Sequence, residues 1–227
     1  MTVPQMFDNI SARYDFINAV LSFGIDRYWR KAVCKHLPGK QKIKLLDCAT
    51  GTGDQLISIL KNCPHIYDAV GMDPAREMLA LAKPKLAQFS HCSRLITAPA
   101  EAIPFPDNMF DAVTISFGIR NVADLNQSLR EIYRILAPEG RLIILEFSHP
   151  RSAPVRFLHR FYLNRIVPYV GKWLSRHKEA YTYLSKTIET FPQGQAMASI
   201  LKEVGFENVQ IKPLTLGIVS LYIGEKR

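Results

Sequence analysis

The residues best suited to chemistry lie in one short stretch, Ile43 to Asp54, which reads IKLLDCATGTGD. An apolar run carrying Asp47 leads into Gly51 and Gly53, separated by one residue, and then into Asp54. This pattern predicts a buried strand, a tight turn and a helix N-terminus, whose unpaired N–H groups and positive dipole end hold an anionic group. A dinucleotide fingerprint requires a third glycine three residues further on, and Leu56 stands there instead. The pyrophosphate reading is weakened, but a two-glycine turn still directs backbone N–H groups at a carboxylate; an ordinary strand-to-helix turn would read the same way. Asp73 ends the next strand, twenty residues beyond Gly53. An acid there accepts hydrogen bonds from both ribose hydroxyls, or else caps the helix that Pro74 begins. A carboxylate-bearing adenosine without a pyrophosphate is S-adenosylmethionine.

Two later segments extend the set. Pro99-Ala100-Glu101 follows the third strand, where a loop either meets the adenine edge or is a bland connection. Ser116-Phe117-Gly118-Ile119-Arg120-Asn121 follows the fourth strand, at the carboxyl edge where open α/β sheets place their sites. Arg120 and Asn121 together can steady a developing oxyanion, the alternative being an ion pair between Arg120 and Asp124. The histidines lack HExxH or comparable spacing, and Cys34, Cys48, Cys63 and Cys92 form no CxxC pair, so neither a metal site nor a disulfide framework is expected.

These residues need a frame, and hydrophobic periodicity supplies one. Two helices are expected before the glycine turn, over Pro4–Leu21 and Asp26–Leu37, the second capped by Asp26 and stopped by Pro38-Gly39. Strands and helices then alternate: strands Ile43–Cys48, Ala69–Met72, Arg94–Thr97, Asp111–Phe117 and Arg141–Phe147, with helices Asp54–Asn62, Pro74–Ala87 and a third that Asp124 caps and that runs through Leu136. Pro138-Glu139-Gly140 is read as the turn into the fifth strand. Such alternation predicts a parallel sheet covered on both faces. A helix over Gln193–Val204 ends at Gly205, and strands Asn208–Leu214 and Ile218–Ile223 are joined by three residues, too few for a parallel crossover. The expected architecture is therefore a seven-stranded, mostly parallel sheet finishing in an antiparallel hairpin.

With 227 residues, 48% of them hydrophobic, the chain can bury one large core, and one domain over 1–227 is the default. The N-terminus has no apolar h-region, and no apolar run approaches the length of a membrane span. Of the formal net charge of +9, seven positive charges fall between Phe147 and Lys178, a stretch without Asp or Glu. Arg151, Arg156, Arg160, Arg165, Lys172, Arg176 and Lys178 alternate there with Phe157, Leu158, Phe161, Tyr162, Tyr169 and Trp173. Charge alone fits anionic lipid, nucleic acid or an acidic substrate. The mixture of aromatics and cations fits a segment at a membrane surface, or a solvated insertion packed on the sheet.

The segments MFDNISARYDFINAVLSFGIDRYWRK, LLDCATGTGD, AEAIPFPDNMFDAVTISFGIRNVAD, LREIYRILAPEGRLIILEFSHP and YTYLSKTIETFP with LTLGIVSLYIGEK resemble, in order and spacing, the ubiquinone/menaquinone biosynthesis C-methyltransferase family. ISFGIRNVAD and LEFSHP carry more of this resemblance than the glycine turn, which all class I methyltransferases approximate. It implies a class I S-adenosylmethionine-dependent methyltransferase with a Rossmann-like sheet, methylating a ring carbon of a polyprenylated quinol, either a demethylmenaquinol or a methoxybenzoquinol. Cofactor contacts are expected at Thr52, Asp73, Pro99, Ala100 and Ser116, and with them at Asp47, Gly51 and Gly53 of the turn. Arg120 and Asn121, helped by Tyr14 and Asp15, are expected to serve the quinolate. The family usually has Asn or Asp where this chain has Pro99, so adenine recognition would rest on the Ala100 backbone and on shape.

The resemblance further divides the chain into a helical substrate cap (1–40), a cofactor core (43–147), a basic insertion (148–190) and a C-terminal helix with its hairpin (191–227). It implies a cytoplasmic protein, peripheral at the inner face of the cell membrane, with a quinol rather than nucleic acid as partner and possible homo-oligomers. Three rivals are weaker. A nicotinamide oxidoreductase conflicts with Leu56 and the terminal hairpin. An RNA methyltransferase shares the fold and suits the charge, but the fourth strand ends in Ser116-Phe117-Gly118 rather than an Asn-Pro-Pro-Tyr-like sequence. A non-enzymatic S-adenosylmethionine-binding protein would have no use for Arg120-Asn121.

Overall fold

Each of the first strands is followed by enough chain to cross back over the sheet, so neighbours pair in parallel; the last connection is too short to cross, so the final pair is antiparallel. The computed structural model describes residues 24–150, 152–162 and 187–227, together with Ser22 and Arg165. Within them the chain runs α1 (Asp26–Cys34), β1 (Ile43–Cys48), α2 (Asp54–Asn62), β2 (Ile66–Met72), α3 (Arg76–Leu86), β3 (Ser93–Ile96), β4 (Phe110–Ser116), α4 (Leu125–Ile135), β5 (Leu136–Phe147), α5 (Ala153–Phe161), α6 (Gln195–Val204), β6 (Glu207–Leu214) and β7 (Val219–Glu225). The seven strands form one sheet in the order β3-β2-β1-β4-β5-β7-β6. Strands β1 to β5 pair in parallel, while β7 pairs antiparallel with both β5 and β6. The expected hairpin is present, with β7 tucked between β5 and β6. The helix expected over Pro4–Leu21, Tyr14 and Asp15 lie outside the described residues.

Strands buried on both faces need apolar residues on both, and β1 shows this: Ile43 and Leu45 join one core, Leu46 and Cys48 the other. One core packs α1, α2 and α3 through Trp29, Val33, Leu56, Ile59, Ala82 and Leu86. The other packs α4 and α6 through Leu129, Ile132, Met197 and Leu201. Strand order reverses between β1 and β4, so the carboxyl ends of these two strands splay apart and open a crevice.

Several details depart from the expected boundaries. Asp26 is the first helical residue of α1 and not its cap, with Ile25 at the cap position and the Asp26 carboxylate accepting from Ser22 Oγ at 2.9 Å. The Pro138–Gly140 turn is absorbed as a bulge in β5, where Glu139 adopts a φ of 62° and the register slips between Phe110 and Ala112. Pro74 precedes α3, which begins at Arg76. Gly205 ends α6 in the left-handed region, as its position after the periodic run requires.

Leu56, where a dinucleotide turn would carry its third glycine, is fully buried. Space for it comes from the neighbouring strand: a Cβ on Gly71 would lie 3.1 Å from Leu56 Cδ2. Close packing of α2 on the sheet is thus obtained by removing a side chain from β2 rather than from the helix. Leu56→Ala empties this site and should lower unfolding free energy by about 2–5 kcal/mol in urea titrations, as for other large-to-small core changes. A loss under about 1 kcal/mol would show that the α2 contact does not depend on Leu56.

Candidate functional site

The site is built on a carboxylate that never reaches it. Asp47 is fully buried at the end of β1, where Oδ2 accepts from Thr50 Oγ1 at 2.6 Å and Oδ1 accepts from Thr114 Oγ1 at 2.7 Å. One hydroxyl comes from the glycine turn and the other from β4, so this carboxylate ties together the two strands that flank the crevice. Desolvation pushes its pKa up from 3.8 to about 6 against the pull of the two hydroxyls. Asp47 does not line the cavity described next, which corrects its placement among cofactor contacts: both its oxygens are engaged by the scaffold.

The turn itself is locked by backbone. Thr50 N–H donates to Met72 O at 3.0 Å, and Gly51 N–H donates to the Asp73 carboxylate at 2.8 Å. Asp73 Oδ1 also accepts from Ala75 N–H at 2.9 Å, which braces the turn before α3 and does not cap the helix, because Ala75 holds the cap position and no side chain caps it. Gly51 and Gly53 have φ of 56° and 83°, which other residues rarely adopt. Gly53 additionally packs on α3, where its Cβ would lie 3.2 Å from Ala82 Cβ.

A cavity of about 380 Å³ opens over this turn. Thr52, Gly51, Asp73, Pro99, Ala100 and Ser116 all line it, as does Asn121; Arg120 does not. A Cβ added to Gly51 would meet nothing within 4 Å, so at this lining position the absent side chain leaves the space open for a ligand. The apolar wall made by Met78, Ala98, Pro99 and Ala100 offers an aromatic ring a surface, Asp73 offers a hydroxylated sugar a carboxylate, and the start of α2 offers a carboxylate group its N–H end. These features fit S-adenosylmethionine, with Gly51, Thr52, Asp73, Pro99 and Ala100 as the residues that would hold it.

Sequence reasoning missed three participants. Gln55, nearly buried on α2, accepts from Ser116 Oγ at 3.0 Å and donates to Arg30 O at 3.2 Å, linking β4, α2 and α1 under the cavity. Arg30 lines the cavity and stands over the Phe117 ring at 5.5 Å. Glu146 is the third. Its signal was an acid inside the apolar run LIILEF, a pattern a buried strand carries only with a partner. That partner is Arg120, whose Nη1 donates to Glu146 Oε1 at 2.6 Å and to Phe117 O at 2.8 Å. Their side chains are 4% and 0% exposed. Asp124, the alternative partner for Arg120, instead caps α4 by accepting from Gln127 N–H at 2.9 Å. Glu101 clasps the loops on the cavity rim, accepting from the N–H groups of Ala123 and Asp124.

Solved structures share this architecture. An S-adenosylmethionine-dependent methyltransferase of Thermotoga maritima, described as a possible histamine N-methyltransferase, matches with a TM-score of 0.69 over 99% of this chain and 100% of its own, at 18% identity. A putative methyltransferase complexed with the Trm112 activator of Haloferax volcanii matches with a TM-score of 0.70 over 99% and 97%, at 17% identity. Sheet order and terminal hairpin therefore define the class I methyltransferase fold.

The sequence narrows the class further. A model of the ubiE/COQ5 methyltransferase family matches residues 1–226, and the chain belongs to that family. It is 44% identical over 226 residues to the ubiquinone/menaquinone biosynthesis C-methyltransferase UbiE of Geotalea daltonii, covering 99% of this chain and 96% of the relative. It is 40% identical over 221 residues to the demethylmenaquinone methyltransferase of Thermus thermophilus, covering 97% and 100%.

The buried joint gives a pH signature. The folded protein holds the Asp47 proton more tightly than the unfolded chain does, so this group favours folding most below pH 3.8 and loses that contribution as pH rises through about 6. The interval corresponds to about 3 kcal/mol. Asp47→Asn, which keeps a hydrogen-bonding side chain without the charge, should unfold at a higher urea concentration relative to wild type at pH 7 than at pH 4. Parallel pH dependence of the two proteins would overturn this assignment.

Proposed function

We propose that this methyltransferase acts on a ring carbon of a polyprenylated quinol in respiratory quinone biosynthesis, with the basic segment holding it at a membrane surface. The relatives named for ubiquinone/menaquinone and demethylmenaquinone methylation cover nearly the whole chain. S-adenosylmethionine, when bound, supplies an electrophilic methyl group. The protein must then orient an electron-rich ring and stabilise negative charge on its oxygen, tasks of positioning and electrostatics.

The observation that carries this reading is a group of unspent polar atoms at the carboxyl edge of β4 and β5. Asn121 Oδ1, Arg120 Nε and Glu146 Oε2 are buried and have no hydrogen-bond partner among the described residues. Asn121 belongs to the cavity wall and Arg120 is its neighbour in the same turn, so a hydroxylated ring beside the cofactor cavity would meet donors and acceptors that the fold has left open. Arg120 is the residue we assign to the quinolate oxygen, with Asn121 beside it, and Tyr14 and Asp15, outside the described residues, are the further residues we assign to the quinol. On this reading 43–147 would hold the cofactor, while 1–40 would serve the quinol and 148–190 the membrane.

The decisive assay offers radiolabelled S-adenosylmethionine and short-tailed demethylmenaquinol or methoxybenzoquinol under reducing conditions. Transfer to at least one quinol is expected, and transfer to RNA alone would sink the reading. Arg120→Ala should lower kcat by about 100-fold or more, the scale of a lost oxyanion donor, with cofactor affinity nearly unchanged; weakened cofactor binding would remove Arg120 from this role.

Helix α5 supports the membrane component. Phe157, Leu158 and Phe161 are 73%, 69% and 53% exposed, with Arg156 and Arg160 exposed on the same helix. Among the described residues no helix is long and apolar enough to cross a membrane. A short helix presenting aromatics and cations suits insertion at the headgroup level of an anionic bilayer. Flotation with anionic liposomes should carry the protein at low salt and less at high salt, and a double change Phe157→Glu with Leu158→Glu should abolish flotation; equal flotation of the variant would refute docking through α5.

A further inference from the structure

Glu146 has no task in the cofactor cavity, yet the fold goes to some length to keep it. It stands on β5 opposite Ser220 of β7, on the face it shares with Ile144 and Tyr222. Its Oε1 is doubly held, by Arg120 Nη1 at 2.6 Å and by the Phe147 N–H at 2.8 Å. Burying a carboxylate and a guanidinium together costs several kcal/mol per ion, repaid only when their remaining hydrogen-bonding atoms are satisfied. A pair kept purely for structure would be closed on itself. Among the described residues this one leaves an atom without a partner on each member, Oε2 of Glu146 and Nε of Arg120, and Asn121 Oδ1 is likewise without one, one residue further along.

Unsatisfied buried atoms on both members of one ion pair need an explanation, and a substrate group that reaches them past Asn121, the neighbour of Arg120 that lines the cavity, is the one we pursue. An acceptor and a donor on a single pair match a hydroxyl that gives up its proton: the acceptor takes the proton and the donor holds the oxygen left behind. Building on the quinol reading above, we propose that Glu146 is the proton acceptor of the reaction, taking the ring hydroxyl proton at Oε2 while Arg120, fixed through Oε1, stabilises the oxyanion from Nε. In this step the substrate O–H bond breaks, a new O–H bond forms on Glu146, and the electron pair stays on the ring oxygen, enriching the ring carbon to be methylated. When that carbon later releases its own hydrogen as a proton, the electron pair returns to the ring oxygen, which takes its proton back from Glu146, so each turnover liberates one proton and regenerates the carboxylate.

The surroundings suit a base. Burial drives the Glu146 pKa above its ordinary value, against the opposing pull of Arg120 and the Phe147 N–H, so its affinity for a proton exceeds that of an exposed glutamate. The titratable groups facing it are Arg120 from the 119–121 turn and Tyr222 from β7, whose own ionisation burial and Glu146 both disfavour. Tyr222 is occupied in accepting the Gly194 N–H at 2.8 Å.

Glu146→Gln keeps the shape and removes the base. With saturating S-adenosylmethionine and the quinol that the wild type methylates, E146Q should lose about 100-fold in kcat at pH 7, the lower end of what a general base contributes. Its activity should then climb about tenfold per pH unit as the quinol ionises in solution, while the wild type stays nearly flat above neutrality and cofactor affinity stays within threefold. A loss that is the same at every pH, or activity within threefold of wild type, would overturn the proposal. If E146Q does not fold, Glu146→Asp retains a carboxylate and should keep the wild-type pH profile at a lower rate; a tenfold-per-unit climb in E146D would equally refute it. Failure of the quinol reading itself would appear earlier and elsewhere, as a wild type inactive on both quinols.

Discussion

The Asp47 carboxylate is the joint on which the site depends. Open α/β sheets bind ligands where strand order reverses, but a reversal alone leaves two strand ends free to drift. Here Thr50 in the glycine turn and Thr114 on β4 both donate to Asp47, so the crevice between β1 and β4 has a fixed width. The cost is visible in the raised pKa of the carboxyl, about 6, which is what a charge pays for complete burial with two neutral donors. A less polar joint would relieve that cost and lose the register between turn and strand.

Beyond the joint, the chain reverses direction twice under strain. Ala49 follows β1 with a φ of 52° and Phe117 follows β4 with a φ of 57°, a region that residues with side chains rarely occupy. The two bends meet: a Cβ on Gly118 would lie 2.5 Å from the Ala49 Cβ, so only glycine lets the two strand ends pass each other. The bend at Phe117 sets its ring against Trp29 at 6.0 Å and Phe147 at 4.8 Å, an aromatic floor on the α1 side of the sheet. Trp29 Nε1 in turn donates to Thr215 Oγ1 at 2.7 Å, linking α1 to the hairpin turn. Strain at the strand ends is thus balanced by packing below them, and the atoms above them remain available to ligands.

How much of this was legible follows from the range of each interaction. Local and periodic features were: β1 and α2 are found at their expected limits, Ile43–Cys48 and Asp54–Asn62, because an apolar run ending in Gly-x-Gly leaves little choice. The hairpin was legible from a three-residue connection. Thr52, Asp73, Pro99, Ala100, Ser116 and Asn121, all expected as site residues, line one cavity, since the carboxyl ends of parallel strands converge there, whereas Asp47, Gly53 and Arg120 do not line it. Interactions across long sequence separations were not legible. The Arg120 to Glu146 pair spans 26 residues and the Thr114 to Asp47 bond spans 67, and no pattern along the chain specifies either partner. Asp47 shows the consequence, since an acid before a glycine turn reads equally well as a ligand contact and as a scaffold bond.

Charge distribution explains why Arg120 comes with Glu146. A sulfonium carries positive charge where its methyl group leaves, and a bare guanidinium 5 Å away would oppose it by about 3 kcal/mol at an effective dielectric of about 20. The cavity wall favours the cation instead: Asp54, Asp73 and Glu101 line it against Arg30, and with Asp54 bridged to Lys85 at 2.9 Å the balance remains negative. That negative field helps a cationic cofactor and hinders an anionic ring oxygen close by. The two needs are reconciled only if the oxyanion meets directed donors whose net charge is small at the distance of the sulfur. Arg120 and Glu146, behind the Phe117–Asn121 wall and outside the cofactor cavity, have that property: the pair is neutral while the hydroxyl is intact, and once the proton has passed to Glu146 the guanidinium is matched by the oxyanion, so little field reaches further.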